Sequence, residues 1–256
     1  MLLKQVPADL SAPLNKDYTV NRQKMQKITN PADLSALNMA LECRSRVGGD
    51  VLCVTMGPES ATDCLRDAAM AGADGLYHIC DPGIAGADTF VTAKILAAAI
   101  RKFEPVDLVF CGRHTVDGET GQVGVELAAM LGYGCLSQVT GIQEIGETNL
   151  RCSCQAGSSM EIYRLRQPAV LCVCECSIPT KLPSLSAMRR ANKMPIVRLS
   201  LAELELSEIS GRSSSPTKVI AVHRKEQSRR KTVWLEENAV ETVAMILQKN
   251  MVNQDV

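Results

Sequence analysis

Leu108-Val109-Phe110-Cys111-Gly112-Arg113-His114-Thr115-Val116-Asp117-Gly118-Glu119-Thr120-Gly121-Gln122-Val123-Gly124-Val125-Glu126-Leu127 carries the clearest architectural signal in the chain. An apolar run, Val106–Cys111, has the length of a buried strand. A glycine-rich turn follows it, and the apolar spacing of Val125–Leu131 then has the helical period. Such a turn between a strand and a helix leaves backbone N–H groups and the positive helix end facing outward, which suits a phosphate. It carries neither the GxxxxGK[ST] of a P-loop nor the GxGxxG of a dinucleotide fingerprint. From the residues alone it is therefore either a nucleotide site or an ordinary strand-to-helix turn.

Working outward, apolar runs at Leu2–Val6, Val51–Met56 and Gly75–Cys80 read as further strands, and Pro31–Val47, Ser60–Ala71 and Ala87–Phe103 as helices between them. This alternation predicts an α/β fold with a parallel sheet. Asn30 before Pro31 is a helix-start signal, with the Asn side chain as the expected cap. Leu136–Thr140, Leu150–Cys154, Met160–Leu165 and Ala169–Cys176 follow with short polar turns and read as antiparallel additions. Beyond Pro179 the chain turns basic and then loses pattern around Ser213-Ser214-Ser215-Pro216, before a last helix over Leu235–Asn250. The expected organisation is a nucleotide-binding α/β domain over 1–178, a loop over 179–195, and a C-terminal arm over 196–256. The arm's apolar residues are too few for a core of their own.

In a sheet of order 3-2-1-4 the ligand crevice opens where the chain order reverses, at the carboxyl ends of strands one and four. That placement puts Val6-Pro7 beside Gly112–Gln122, with Asn30 and Met56-Gly57-Pro58 nearby. Asp117 is then either a ribose partner or a turn former. Thr120 is either a phosphate ligand, together with the N–H groups of Gly121 to Val123, or a helix cap. His114 lies at the mouth of the crevice and is either a contact to the ligand or a solvated loop residue.

Composition excludes several classes. Over 256 residues, 28 lysines and arginines balance 28 aspartates and glutamates, so no global field favours nucleic acid or an anionic membrane. No run is long and apolar enough for a membrane span, and Met1-Leu2-Leu3-Lys4 lacks a signal peptide's apolar core, so the expected location is the cytoplasm. The 11 cysteines lie mostly in apolar runs and read as buried thiols. The spacing of Cys152, Cys154, Cys172, Cys174 and Cys176 leaves strand packing and a metal cluster as alternatives, with packing favoured because no histidine or CxxC accompanies them. No catalytic group and no metal site is expected.

The succession Leu3-Lys4-Gln5-Val6-Pro7, Asn30-Pro31, Met56-Gly57-Pro58, Gly72-Ala73-Asp74, Asp117-Gly118-Glu119-Thr120-Gly121-Gln122-Val123-Gly124, Gln167-Pro168-Ala169-Val170, Leu182-Pro183-Ser184-Leu185 and Met188-Arg189-Arg190-Ala191 resembles electron-transfer flavoprotein beta subunits in order and spacing. The resemblance covers nearly the whole chain. It implies a Rossmann-like fold of the adenine-nucleotide-binding type, paired with an alpha subunit that holds the electron-transferring FAD. It implies a second nucleotide in the beta subunit, lined by Leu2, Val6, Asn30, Met56, Thr115, Val116, Asp117, Gly118, Glu119, Thr120, Gly121, Gln122 and Val123. Ordinary members hold AMP there. Members that bifurcate electrons hold FAD, in a loop resembling DGDTAQVG, and DGETGQVG is nearer to that version, with Glu119 and Gly121 as departures.

The same resemblance implies an electron carrier that oxidises NADH only together with its partners. Those partners are the alpha subunit, an acyl-CoA dehydrogenase-like or other flavin dehydrogenase, and ferredoxin or flavodoxin as acceptor. Leu185, Arg189 and Arg190 fall where the family's partner-recognition loop lies; read without the family, Leu185 is a core residue of a short helix. The arm would pack on the alpha subunit. Rival classes are an adenylate-transfer enzyme, for which no SGGxDS-like loop is present, and a module like the universal stress proteins, against which the long tail argues.

Overall fold

A computed structural model describes residues 1–8, 26–175, 182–218, 220 and 238–252. The expected positions 176–181, 219, 221–237 and 253–256 lie outside the described residues. The chain forms two units, Met1–Val219 and Ile220–Val256.

In the first unit, strands β1 (Leu2–Leu3), β2 (Gln5–Pro7) and β3 (Lys27–Thr29) precede helix α1 (Pro31–Val47). Strand β4 (Leu52–Met56), helix α2 (Thr62–Ala71), strand β5 (Gly75–Ile79), helix α3 (Thr89–Arg101), strand β6 (Leu108–Gly112) and helix α4 (Val123–Leu131) continue the α/β alternation. A meander of β7 (Gly134–Ile145), β8 (Asn149–Ala156) and β9 (Ser159–Arg166) leads to β10 (Ala169–Val173). Helix α5 (Leu185–Lys193), strand β11 (Val197–Leu199) and the single turn α6 (Gly211–Ser214) complete the unit.

The sheet is twofold. β1, β4, β5 and β11 form one all-parallel sheet, and β6, β10, β7, β8 and β9 form a second, mixed sheet in that order. β1 lies beside β6, as the order 3-2-1-4 requires, but no ladder joins them. The single strand expected over Leu2–Val6 is broken: after two residues the chain leaves the sheet at Lys4, and Gln5–Pro7 pairs antiparallel with β3. The cause is local. The Lys4 N–H donates to the Asp33 carboxylate at 2.8 Å, not to a neighbouring strand.

A second correction concerns β10. Read as an antiparallel addition, it is parallel to both β6 and β7 and sits between them, with all five residues buried. Within this five-stranded sheet the antiparallel pairs are β7–β8 and β8–β9.

Both faces of the parallel strands are covered, so adjacent residues face different cores. Leu3, Phe110 and Leu171 join Leu37, Met39 and Leu65 under α1 and α2. Leu2, Val109 and Val170 join Val91, Ile95, Ile100 and Leu127 under α3 and α4. Each such side chain, fully buried, contributes about 1.5–3 kcal/mol. Cys152 and Cys154 alternate along β8 into the first of these cores, which is the strand-packing arrangement.

Residues 196–218, read from sequence as the start of an arm, pack within this unit. β11 pairs with β5, and Leu199, Leu201, Leu204 and Ile209 are buried on the α3 side. In the second unit, helix α7 (Ala239–Val252) presents Val240, Val243, Met245 and Ile246 exposed. Among the described residues no helix is long and apolar enough to cross a membrane.

Candidate functional site

The carboxyl ends of β1 and β6 are held together by one side chain. Asp33, in the first turn of α1, accepts the Lys4 N–H at 2.8 Å on one oxygen and the Gly112 N–H at 2.9 Å on the other. The carboxyl thus stands in for the ladder bonds that the two strands lack. Burial pushes its pKa up to about 6, against the two backbone N–H groups and Asn30, which pull it down. Position 112 requires glycine for the same reason, because a Cβ there would lie 2.4 Å from Asp33 Oδ1 and 2.8 Å from the Ala32 Cβ.

Asn30 precedes α1 and is fully buried. Its side chain does not cap the helix as expected. The amide donates to the His114 carbonyl at 2.9 Å and accepts the Val116 N–H at 3.3 Å, and so ties the loop after β6 to the start of α1. The N–H groups of Asp33 and Leu34 are taken by the Asn30 backbone carbonyl.

From there the loop curls outward over Asp117, Gly118, Glu119 and Thr120, all exposed. Lys4 Nζ reaches Asp117 at 2.8 and 2.9 Å and Thr115 Oγ1 at 3.3 Å. Burial raises the Asp117 pKa, but the Lys4 ammonium and the Thr115 hydroxyl outweigh it and hold the carboxyl below its usual range. Glu119 and Gly121 both have left-handed backbones, with φ of 52° and 63°, and the Glu119 N–H closes the turn on the Thr115 carbonyl at 2.8 Å. Glycine adopts that conformation freely, whereas Glu119 does so at a cost of order 1 kcal/mol.

Helix α4 then starts at Val123, two residues before the sequence-predicted start, with Gln122 as N-cap residue and no side chain capping it. Thr120 is not a cap. By contrast, Asp88 caps α3 and Ser184 caps α5. Gly124 lets α4 settle onto the sheet, since a Cβ would lie 2.4 Å from Cys172 Sγ and 2.8 Å from Cys111 Sγ. The start of α4 follows directly on the exposed loop over Asp117–Thr120.

These features suit a nucleotide. The helix end has no side-chain cap, Gly121 presents no side chain to a phosphate, and the buried atoms His114 Nδ1 and Glu126 Oε2 have no partner among the described residues. Glu126 Oε2 can only accept and so suits a hydroxyl or an amide, not a phosphate oxygen.

Of the sequence-predicted residues, Asn30, Thr115, Val116 and Asp117 are drawn into one hydrogen-bonded cluster, and Gly118 to Val123 form its outer wall. Leu2 and Val6 have buried side chains, so only their backbone is available, and Met56, half-buried, packs against the α3–α4 core. Sequence reasoning missed Asp33 and the role of Lys4. The signal for Asp33 was weak: an acid three residues after an N-cap is common at any helix start.

A second surface lies on α5. Leu185 is 76 % exposed and Leu182 is 96 % exposed, with Met188, Arg189 and Arg190 also exposed, so Leu185 is not a core residue. The helix is held from behind, where Arg66 donates to the Ala191 and Met194 carbonyls at 2.6 and 2.7 Å.

Known proteins share this arrangement of sequence. The electron transfer flavoprotein domain matches residues 17–204. An electron transfer flavoprotein subunit beta from Thermoanaerobacterium thermosaccharolyticum is 38 % identical, over 86 % of this chain and 85 % of its own. A protein FixA from Bradyrhizobium diazoefficiens is 32 % identical over 98 % and 90 %. Subunit CarD of a caffeyl-CoA reductase–Etf complex from Acetobacterium woodii is 34 % identical over 84 % and 83 %.

Proposed function

This chain belongs to the electron transfer flavoprotein family as a beta subunit, and from that premise we propose that it binds FAD in the β1–β6 crevice and works as half of a heterodimer with an alpha subunit. The observation that carries the reading is the α4 end without a side-chain cap, seated on the sheet through Gly124 and led into by the DGETGQVG loop. The N–H groups of Gly121 to Val123 would hold the pyrophosphate, and Asp117, kept ionised by Lys4, would accept from a ribose hydroxyl. Asn30 and Asp33 keep the loop and both strand ends in place, so that this geometry is preorganised. Bound FAD would supply the chemistry, taking up two electrons from NADH and passing them on.

The protein's own residues bind, orient and exclude. In the proposed assembly Leu185 and Leu182, beside Arg189 and Arg190, dock a partner flavin dehydrogenase, and the exposed apolar residues of α7 cover part of the alpha subunit. Ferredoxin or flavodoxin would accept the low-potential electrons, and the cytoplasm is the expected setting. The caffeyl-CoA reductase–Etf complex to which CarD belongs supports a place beside a reductase.

The test is the cofactor content of the heterodimer co-expressed with its alpha subunit and extracted without added flavin. Two FAD per heterodimer is expected. One FAD with one AMP would replace this reading with simple carriage, and one FAD with nothing in the second site would refute nucleotide binding by this chain.

A further inference from the structure

We propose that Glu59, His78 and Cys80 form a binding site for a divalent transition-metal cation of the zinc class. A ring nitrogen of His78, the Cys80 sulfur and a Glu59 carboxylate oxygen lie within 4.8 Å of one another. His78 and Cys80 are two residues apart in sequence, at the carboxyl end of β5, where period two directs their side chains to one side. Glu59 comes from the turn after β4, the neighbouring strand.

The independent sign is the histidine. His78 is fully buried, and its Nε2 sits 3.0 Å from the Gly57 carbonyl, which can only accept. The ring proton is therefore on Nε2, and in the uncharged ring the Nδ1 lone pair is left free. Nδ1 is buried with no hydrogen-bond partner among the described residues. An unpaired buried acceptor costs about 1–3 kcal/mol, which a bound cation would recover. A backbone carbonyl fixing the far nitrogen of a ligating histidine is the usual outer-shell arrangement of metal sites.

The donor set is nitrogen, sulfur and carboxylate oxygen, which selects zinc or cobalt over calcium or magnesium. A tetrahedral zinc at about 2.0–2.3 Å from each donor holds its ligands roughly 3.3–3.8 Å apart, so the present spread, at most 4.8 Å, needs to close by up to about 1.5 Å. Exposed Glu59 and half-exposed Cys80 can make that movement, while His78 stays fixed. Arg198, opposite His78 on β11, pairs with one Glu59 oxygen and leaves the other for the cation. Binding displaces the Cys80 thiol proton to solvent, so thiolate and carboxylate neutralise the 2+ charge, and water fills the fourth position.

The heterodimer, stripped with a chelator and kept reduced, is titrated with cobalt(II) chloride. One equivalent should bind, with thiolate-to-cobalt charge transfer and visible bands of a tetrahedral ion. Cys80→Ser should abolish the charge-transfer band, Glu59→Gln should weaken binding about tenfold or more, and Cys174→Ser should change neither. Zinc should also protect Cys80 from alkylation, read by peptide mass. Failure of the wild type to bind cobalt or zinc at micromolar concentration overturns the proposal, as does a charge-transfer band that survives in Cys80→Ser. If Cys80→Ser does not fold, an undiminished affinity in Glu59→Gln, whose carboxylate is exposed, overturns it equally. Nucleotide content is measured alongside, and its presence or absence leaves the metal result unaffected.

Discussion

Replacing Asp33 by asparagine separates the two consequences of the buried clip. The carboxyl accepts two N–H donors, from Lys4 and Gly112. An asparagine keeps one acceptor and turns an amide N–H₂ toward the other donor, so one buried N–H loses its partner at a cost of about 1–3 kcal/mol. Against this, the wild-type carboxyl has a folded pKa of about 6, raised by burial from 3.8. A raised carboxyl pKa means that folding favours the protonated form. The associated stability is fully present below pH 3.8 and is lost as pH rises through 6. Over that interval of 2.2 units the loss is about 3 kcal/mol at 1.36 kcal/mol per unit. The asparagine variant has no such loss. Urea unfolding of both proteins from pH 4 to pH 7.5 should therefore show the variant less stable at pH 4 and the gap narrowing or reversing by pH 7.5. A gap that stays constant across that range would refute the reasoning, because it would mean that Asp33 is ionised throughout.

Three further outcomes are expected. Gly121→Val puts a β-branched residue at a φ of 63°, with its Cβ 3.4 Å from the Arg113 carbonyl, and should empty the beta-subunit site in a nucleotide assay while leaving the alpha-subunit flavin in place. Leu185→Asp, on an exposed position, should leave cofactor content and melting temperature unchanged while reducing electron transfer from the partner dehydrogenase at least tenfold in steady-state assays. Amide exchange across α7 should slow when the alpha subunit is added, since the exposed Val240, Val243, Met245 and Ile246 require cover; equal rates would place that cover elsewhere.

Much of the α/β frame was legible because each element carries its own period. Pro31–Val47 is a helix over the expected residues, and Val51–Met56 and Gly75–Cys80 differ from β4 and β5 by one residue at an end. Pairing partners were not legible in the same way. β10 has the same run of five buried residues whether it inserts in parallel or joins an edge, and only the finished sheet distinguishes them. The break at Lys4 is invisible for a related reason: an N–H that goes to a side chain 29 residues away leaves no mark on local pattern. Around the candidate site, the order of strand β6, glycine-rich loop and helix α4 was legible from the sequence. Asp33 and Lys4 were not, because their roles exist only once β1, β6 and α1 meet. Residues 199–209 misled in the opposite sense: Leu199, Leu201, Leu204 and Ile209 are too few for a core, yet enough to extend one already formed.

The insertion of β10 between β6 and β7 also sets an order on synthesis. Both neighbours leave the ribosome before it, and β7 cannot meet β6 through any strand made earlier. Once Arg166 has emerged from the ribosome the β7–β8–β9 meander can close, with an unpaired β7 edge and a β6 edge equally bare. Unpaired edges invite association with other chains. Closure waits for Ala169–Val173, and those five residues then satisfy two edges at once. The interval during which the growing chain is most prone to aggregate is therefore the time between emergence of Arg166 and emergence of Val173 from the ribosome, and a translational pause that holds Ala169–Val173 inside the exit tunnel should lengthen it.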